Sequence, residues 1–285
     1  MTRYLAIALI LLTGCEASDM AAKEREIKVS LGGSIDTVLS STAVKLRKDC
    51  DDAMCLFKFV VPSRSSDLIT VKMQSVSSTL TIENVHSTTI VTSPSGLITA
   101  VDVDTAGVAS NAKHEDAMAY FSRQMQNLKA TGWHRYIFPD EARIPSSEVS
   151  KFKDMYEVLG KDVGSGPWMD PYLERSKEVW VSMRMFDPWR LYNGDEYLTF
   201  RVQRENSEDD PQNHGSYLFS WTFESENEFY AQFVKGEDRK RWKELLPAEL
   251  ARMAKEREKT EAQLKKMGIQ IDESYKDAKP PVKAD

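Results

Sequence analysis

Apolar and polar positions change their period along this chain. From Ile27 to about Asp104 there is no helical repeat, and β-branched and hydroxyl residues dominate. The stretch "QSVSSTLTIENVHSTTIVTS" alternates between a weakly apolar and a hydroxyl face, which predicts strands half-exposed to solvent. Within "TTIVTSPSGLITAVDVD", Ser93-Pro94-Ser95-Gly96 places proline and glycine where a type I turn takes them, so a hairpin is expected there. From Asn111 the period lengthens. Met118, Phe121, Met125 and Leu128 predict an amphipathic helix ending at Gly132, followed by a short strand in "WHRYIFP". A second helix is expected from a Ser146 or Ser147 cap, with Val149, Phe152, Tyr156 and Leu159 on one face and Gly160 behind it.

The next segment, "GKDVGSGPWMDPY", reads as a Gly/Pro-rich loop. "VWVSMRM" and "EYLTFRVQRE" read as strands flanking "FDPWRLYNGD", in which Asn193-Gly194 is a hairpin-turn signal. A further strand, "SYLFSWTF", puts Tyr217, Phe219, Trp221 and Phe223 on one face, and Ser225 with Glu228 forms a capping box opening a helix. The last helix, about Glu237 to Met267, is expected to break at Pro247. Its first part is packed by Trp242, Leu245, Leu246, Leu250 and Met253. Beyond Arg252 apolar residues are too few to bury a face, and pairs such as Glu261 with Lys265 predict a solvated helix stopped at Gly268. Residues 269–285 read as a disordered tail. The fold class is α+β: a β-rich domain over 27–108, an α+β domain over 109–268 and a long charged C-terminal helix.

The first residues change the setting. Arg3 is a positive n-region and Tyr4 to Leu12 an apolar h-region, too short for a membrane span of roughly 20 residues. Leu12-Thr13-Gly14-Cys15 resembles the lipobox of bacterial lipoproteins. That resemblance implies removal of a 1–14 signal peptide, lipid on Cys15, and residues 15–26 as a polar tether. With Glu16 in place of the Asp that commonly marks inner-membrane retention, it implies a periplasm-facing position on the outer membrane. Two or more acyl chains hold firmly where one does not.

Of the three cysteines, setting Cys15 aside leaves Cys50 and Cys55. In an oxidising compartment this pair predicts a disulfide clasping the loop "DDAM" between two strands. The 285 residues carry a formal charge of −6 with no basic cluster, which argues against a nucleic-acid partner. The membrane is reached through the N-terminal lipid alone.

Catalytic chemistry finds no motif: neither G-x-S-x-G, H-E-x-x-H nor a P-loop is present. Ser165 stands between glycines without a strand-turn-helix context, and Ser150 with Lys153 matches S-x-x-K by spacing alone. His86, His114, His134 and His214 share no ligand spacing. Asp102 and Asp104 share one strand face without a third ligand, so no enzyme activity, metal or cofactor is expected. Binding has more support. Trp168 and Tyr172 in one turn-rich loop, and Trp189, Arg190 and Tyr192 in another, are the residue types that concentrate in interfaces. Trp168 and Trp189 equally suit plugs that close a core.

The order "GWHRYIFPDE", helix, "VWVSMRMFDPWRLYNGDEYLTFRVQRE" and "SYLFSWTFESENEFYAQF", over roughly Asn111 to Leu246, resembles envelope lipoproteins that give immunity to toxic effectors of type VI secretion, chiefly inhibitors of phospholipase effectors. The resemblance implies a membrane-tethered protein whose partner is a toxic effector enzyme. An accessory lipoprotein bound to an envelope complex is the alternative, and the long charged helix would suit docking to it.

Overall fold

A computed structural model describes residues 25–75 and 78–281; the expected leader, Cys15 and nearly all of the tether lie outside the described residues. The fold is α+β and is built on one 11-stranded mixed sheet. β1 (Glu26–Val29) runs parallel to β4 (Ile69–Gln74) at one edge, with α1 (Ile35–Ser41) and the β2–β3 hairpin (Arg47–Cys50, Cys55–Val60) between them in sequence. Cys50 and Cys55 face each other across that hairpin and are disulfide-bonded. The 14-residue β5 (Thr79–Thr92) pairs first with β4 and then with β3. The Ser93–Gly96 turn carries β5 into β6 (Ile98–Thr105), with Gly96 at a φ of 82° that a side chain would oppose.

β6 then pairs with β13 (His214–Ser225), so hydrogen bonds cross the expected boundary near residue 108 and both halves share one sheet. The order continues through β12 (Glu196–Asn206) and β11 (Phe186–Asn193) to the short β8 (His134–Arg135), while the two-residue β7 (Ala112–Lys113) joins the far end of β13. α2 (His114–Ala130) follows the predicted spacing: it turns Ala117, Phe121, Met125 and Leu128 onto one sheet face, where Phe121 meets Trp189 and Phe200. Tyr217, Phe219, Trp221 and Phe223 line that same face, as the alternation of β13 requires.

Four elements differ from their sequence reading. "VWVSMRM" is no strand: Lys177–Ser182 forms α3, capped by Ser176, whose hydroxyl accepts from Val179 N. The outcome is decided from outside the segment. Buried Arg204 on β12 donates to the carbonyls of Trp180, Val181 and Met183, satisfying the helix end that a strand would not present. "FDPWRLYN", expected as a connection, is the strand β11. Its Pro188 is tolerated because β8 pairs only with Leu191 and Tyr192, leaving an open edge at the missing N–H.

The helix expected after Ser146 is a single 3-10 turn, Ser146–Lys151. Asp154 accepts from Tyr156 N at 2.7 Å, bending the chain away from a helix. Leu159 and Gly160, both at positive φ, then turn the small β9–β10 hairpin (Glu157–Val158, Lys161–Asp162).

The C-terminal region departs furthest. A 3-10 turn (Gly236–Arg241) leads into α5 (Trp242–Lys266), which runs through Pro247 unbroken; so near the N-terminus, proline removes a single intrahelical bond. Its second half is packed too: Arg257, Glu261 and Leu264 continue the buried stripe begun by Leu246 and Met253. Glu261 takes two bonds from the Arg143 guanidinium, at 2.6 and 2.8 Å, and one from Arg143 N. The expected disordered tail instead straps back over the body through residue 281. Asp272 N donates to Arg143 O, the Tyr275 hydroxyl accepts from Ile137 N, and Ala278 is buried. Between Glu226–Ala231 (α4) and this strap, Phe229 stacks on Tyr197 at 4.0 Å, building a second apolar cluster on the opposite sheet face. α4 opens as predicted, with the Ser225 hydroxyl accepting from Glu228 N.

Candidate functional site

The two sheet faces have opposite fates. Directly paired residues point to the same face, and register therefore gives rows six strands wide. Lys58, Thr89, Asp102, Thr222, Thr199 and Arg190 form one row; Val60, Ser87, Asp104, Ser220, Arg201 and Pro188 form the next. This is the face that α2 does not cover. α4 and the strap shield only one end of it, over Tyr197 and Tyr192. Asp102 and Asp104 do share this face, as their spacing requires. Thr222 Oγ1 donates to Asp102 Oδ1 at 2.8 Å, and Ser220 Oγ to Asp104 Oδ1 at 2.5 Å. Burial pushes the Asp102 carboxyl above its ordinary range, against the Thr222 hydrogen bond.

Where α4 stops covering the sheet, a groove of about 440 Å3 opens between Phe138, Phe229 and Phe233 on its rim and Arg190, Thr199, Arg201, Thr222 and Glu224 on the strands, with Gln232 and Lys235 alongside. The Arg190 guanidinium carbon lies over the Phe138 ring, 4.7 Å from its centroid, and Arg190 donates to Gly164 O at 3.0 Å. Arg201 reaches only the Thr222 hydroxyl, at 3.4 Å. Among the described residues, none of Arg190, Arg201 and Lys235 forms an ion pair. Glu224 accepts from the Gln232 amide. Burial, and after it the Glu228 carboxylate, holds the Glu224 carboxyl up to about 7.

That elevation has a sign. A carboxyl that holds its proton more tightly when folded adds stability at low pH, and the contribution is lost as pH rises from about 4.5 to about 7. Glu224→Gln is therefore expected to leave stability at pH 4 unchanged and to raise it above pH 7 by about 1–2 kcal/mol, after allowance for solvent screening. Urea titrations of both proteins across that range check this; parallel curves would refute it.

The five residues singled out in the two turns do not form one patch. Trp189 is 1% exposed and belongs to the core, stacked with Trp180. Trp168 is half-buried against that same core. The Tyr172 hydroxyl donates to Trp133 O at 2.6 Å and its ring lies under Lys129. Only Arg190 and Tyr192 fall on the other face, and the Tyr192 hydroxyl is used on Lys276 O. The Gly/Pro-rich loop itself is pinned by buried arginines. Arg175 donates to the carbonyls of Trp168, Asp170 and Leu173, and Arg135 to those of Ser165 and Gly166.

Ser165, 2% exposed, donates to Glu141 Oε2 at 2.6 Å and accepts from Phe138 N at 2.9 Å, so its hydroxyl is committed to holding the loop. Ser150 and Lys153 are exposed on and beyond a 3-10 turn, and His134 is exposed with its ring beside Tyr192. His114, unremarked by spacing, is fully buried. Its Nε2–H donates to Pro211 O, and Nδ1 lies 2.5 Å from the Tyr217 hydroxyl, which also accepts from Trp180 Nε1. That chain joins α2, α3 and β13. Among the described residues no group of three or more His, Cys, Asp or Glu is placed to hold a metal ion, and no helix is long and apolar enough to cross a membrane. Arg201 and Glu224 stand in the outward phase of β12 and β13, alternate to the aromatic phase that the sequence pattern displays, and Lys235 lies beyond α4, where no local pattern marks it. No family model, curated protein or solved structure shows significant similarity to this chain.

Proposed function

We propose that this chain is a lipid-anchored, periplasm-facing binding protein that neutralises a toxic phospholipase-type effector by occupying it. One observation carries the binding half of this reading. The sheet leaves a polar, six-strand-wide face uncovered, and at its end unpaired cations stand among aromatic rings. Such a combination of Arg, aromatic and hydroxyl groups on a rigid support is what protein interfaces select. Strands paired on both sides already fix the backbone that presents this face, so a partner meets it without backbone ordering. The lipobox and the resemblance to immunity lipoproteins supply the location and the kind of partner. In the accessory-lipoprotein alternative the long charged helix would suit docking; α5 turns one stripe into this fold and would dock through its remaining face.

If a phospholipase-type effector is encoded beside this gene, cells exporting it are expected to grow when the chain is co-expressed with its leader. With Cys15→Ser they are expected to grow less well, because the protein leaves the membrane surface. Killing that is unaltered by the wild-type chain would overturn the proposal.

A further inference from the structure

We infer that the groove between Phe138, Phe229 and Phe233 binds a carboxylate-bearing segment of the protein partner, with Arg190, Arg201 and Lys235 taking the acids. This rests on the binding reading above and adds the chemistry that the site recognises. Three cations share one groove and none is neutralised by an ion pair among the described residues. Arg252, by contrast, holds both Glu249 and Glu256, and Arg241 holds Asp238 and Glu244; what sets the groove apart is that three cations without an ion pair line one recess. In a chain of net charge −6, unpaired cations gathered in one place mark a complementary acidic ligand.

The two arginines are presented differently. Arg190 is fixed by Gly164 O and by the Phe138 ring, so its planar fork is already ordered. Arg201 projects from the open strand face with only a long bond to Thr222. One is a preset receptor for a carboxylate and the other closes on it, with charge-assisted hydrogen bonds in both cases. The lone carboxylate lining the groove, Glu224, is engaged by the Gln232 amide. The aromatic rim supplies apolar contact that a bare inorganic anion would not use, and this points to an acidic segment that also carries aromatic or apolar side chains.

The test uses the purified full chain and a fluorescent random copolymer of glutamate and tyrosine, read by anisotropy. Binding is expected at low salt and weaker with polyglutamate alone, while any attraction of a lysine–tyrosine copolymer to this acidic chain is expected not to weaken when Arg201 and Lys235 are replaced. The double variant Arg201→Gln/Lys235→Gln alters exposed side chains and should keep the wild-type melting curve while binding about tenfold more weakly. Unchanged copolymer binding by that variant would overturn the inference. So would recruitment to phosphatidylglycerol vesicles that depends on the same two residues while the copolymer does not bind, or self-association through them seen by sedimentation. Repeating the co-expression assay with the variant separates the two proposals. Lost protection by a folded variant supports the groove, whereas full protection with copolymer binding abolished removes the groove and leaves neutralisation standing.

Discussion

Trp189→Ala is expected to lower the unfolding free energy by about 3–5 kcal/mol, the range for emptying a large aromatic site in a packed core. The indole is almost wholly buried and meets Phe121 at a centroid distance of 4.5 Å and Trp180 in a stack at 6.4 Å. The Arg175 guanidinium sits 5.5 Å from its ring, and burial lowers that group to about 10. Removing the ring takes away the face on which a desolvated cation rests, and with it the anchor of the 168–175 loop. Trp189→Phe should cost less, within about 1.5 kcal/mol, since it keeps an aromatic face and deletes an indole N–H that has no acceptor among the described residues. Urea unfolding followed by circular dichroism checks both. Wild-type stability in the alanine variant would return Trp189 to the surface role its turn-rich setting suggested.

That residue shows how far local sequence reaches. Alternation along β13, the hairpin turns at Ser93–Gly96 and Asn193-Gly194, the α2 stripe and the Ser225 cap were all legible, because each depends on neighbours within a few positions. What was not legible depended on partners far along the chain. α3 reads as a strand until Arg204, more than twenty residues on, meets its carbonyls. The second half of α5 reads as solvated because its buried positions hold Arg257 and Glu261, which count as polar in any periodicity; their partners, Arg143 and the 137–141 backbone, lie over a hundred residues upstream. The groove was half legible. Arg190 was picked for its residue type, but only the register across β11, β12 and β13 shows that it shares a face with Arg201 and that Trp189 does not.

Arg257→Met is expected to destabilise the fold by about 2–4 kcal/mol and to free the C-terminal strap. The side chain is 7% exposed. Its Nε donates to Glu141 O at 2.9 Å and its Nη2 to Phe138 O at 2.7 Å, while Nη1 takes both oxygens of Asp277, at 2.8 and 2.7 Å. The two carbonyls belong to the segment that also positions Glu141 under Gly164 and Ser165, so one guanidinium ties α5, the strap and the pinned loop together. Methionine fills much of the volume and donates nothing: Phe138 O keeps its bond from Glu141 N, while Glu141 O loses the Arg257 donor at a cost of about 1–3 kcal/mol. Asp277→Asn probes the ion pair alone. Its carboxylate is half-exposed and returns to water on loss of the pair, so the cost should stay below about 1 kcal/mol. The contrast between the two variants separates backbone satisfaction from charge pairing. Hydrogen exchange should report it directly: in Arg257→Met the Ile137 amide, held by the Tyr275 hydroxyl, loses protection together with Asp272 N, while in Asp277→Asn both stay protected. Equal losses in the two variants would make the ion pair, and not the carbonyl cluster, the element that holds the strap.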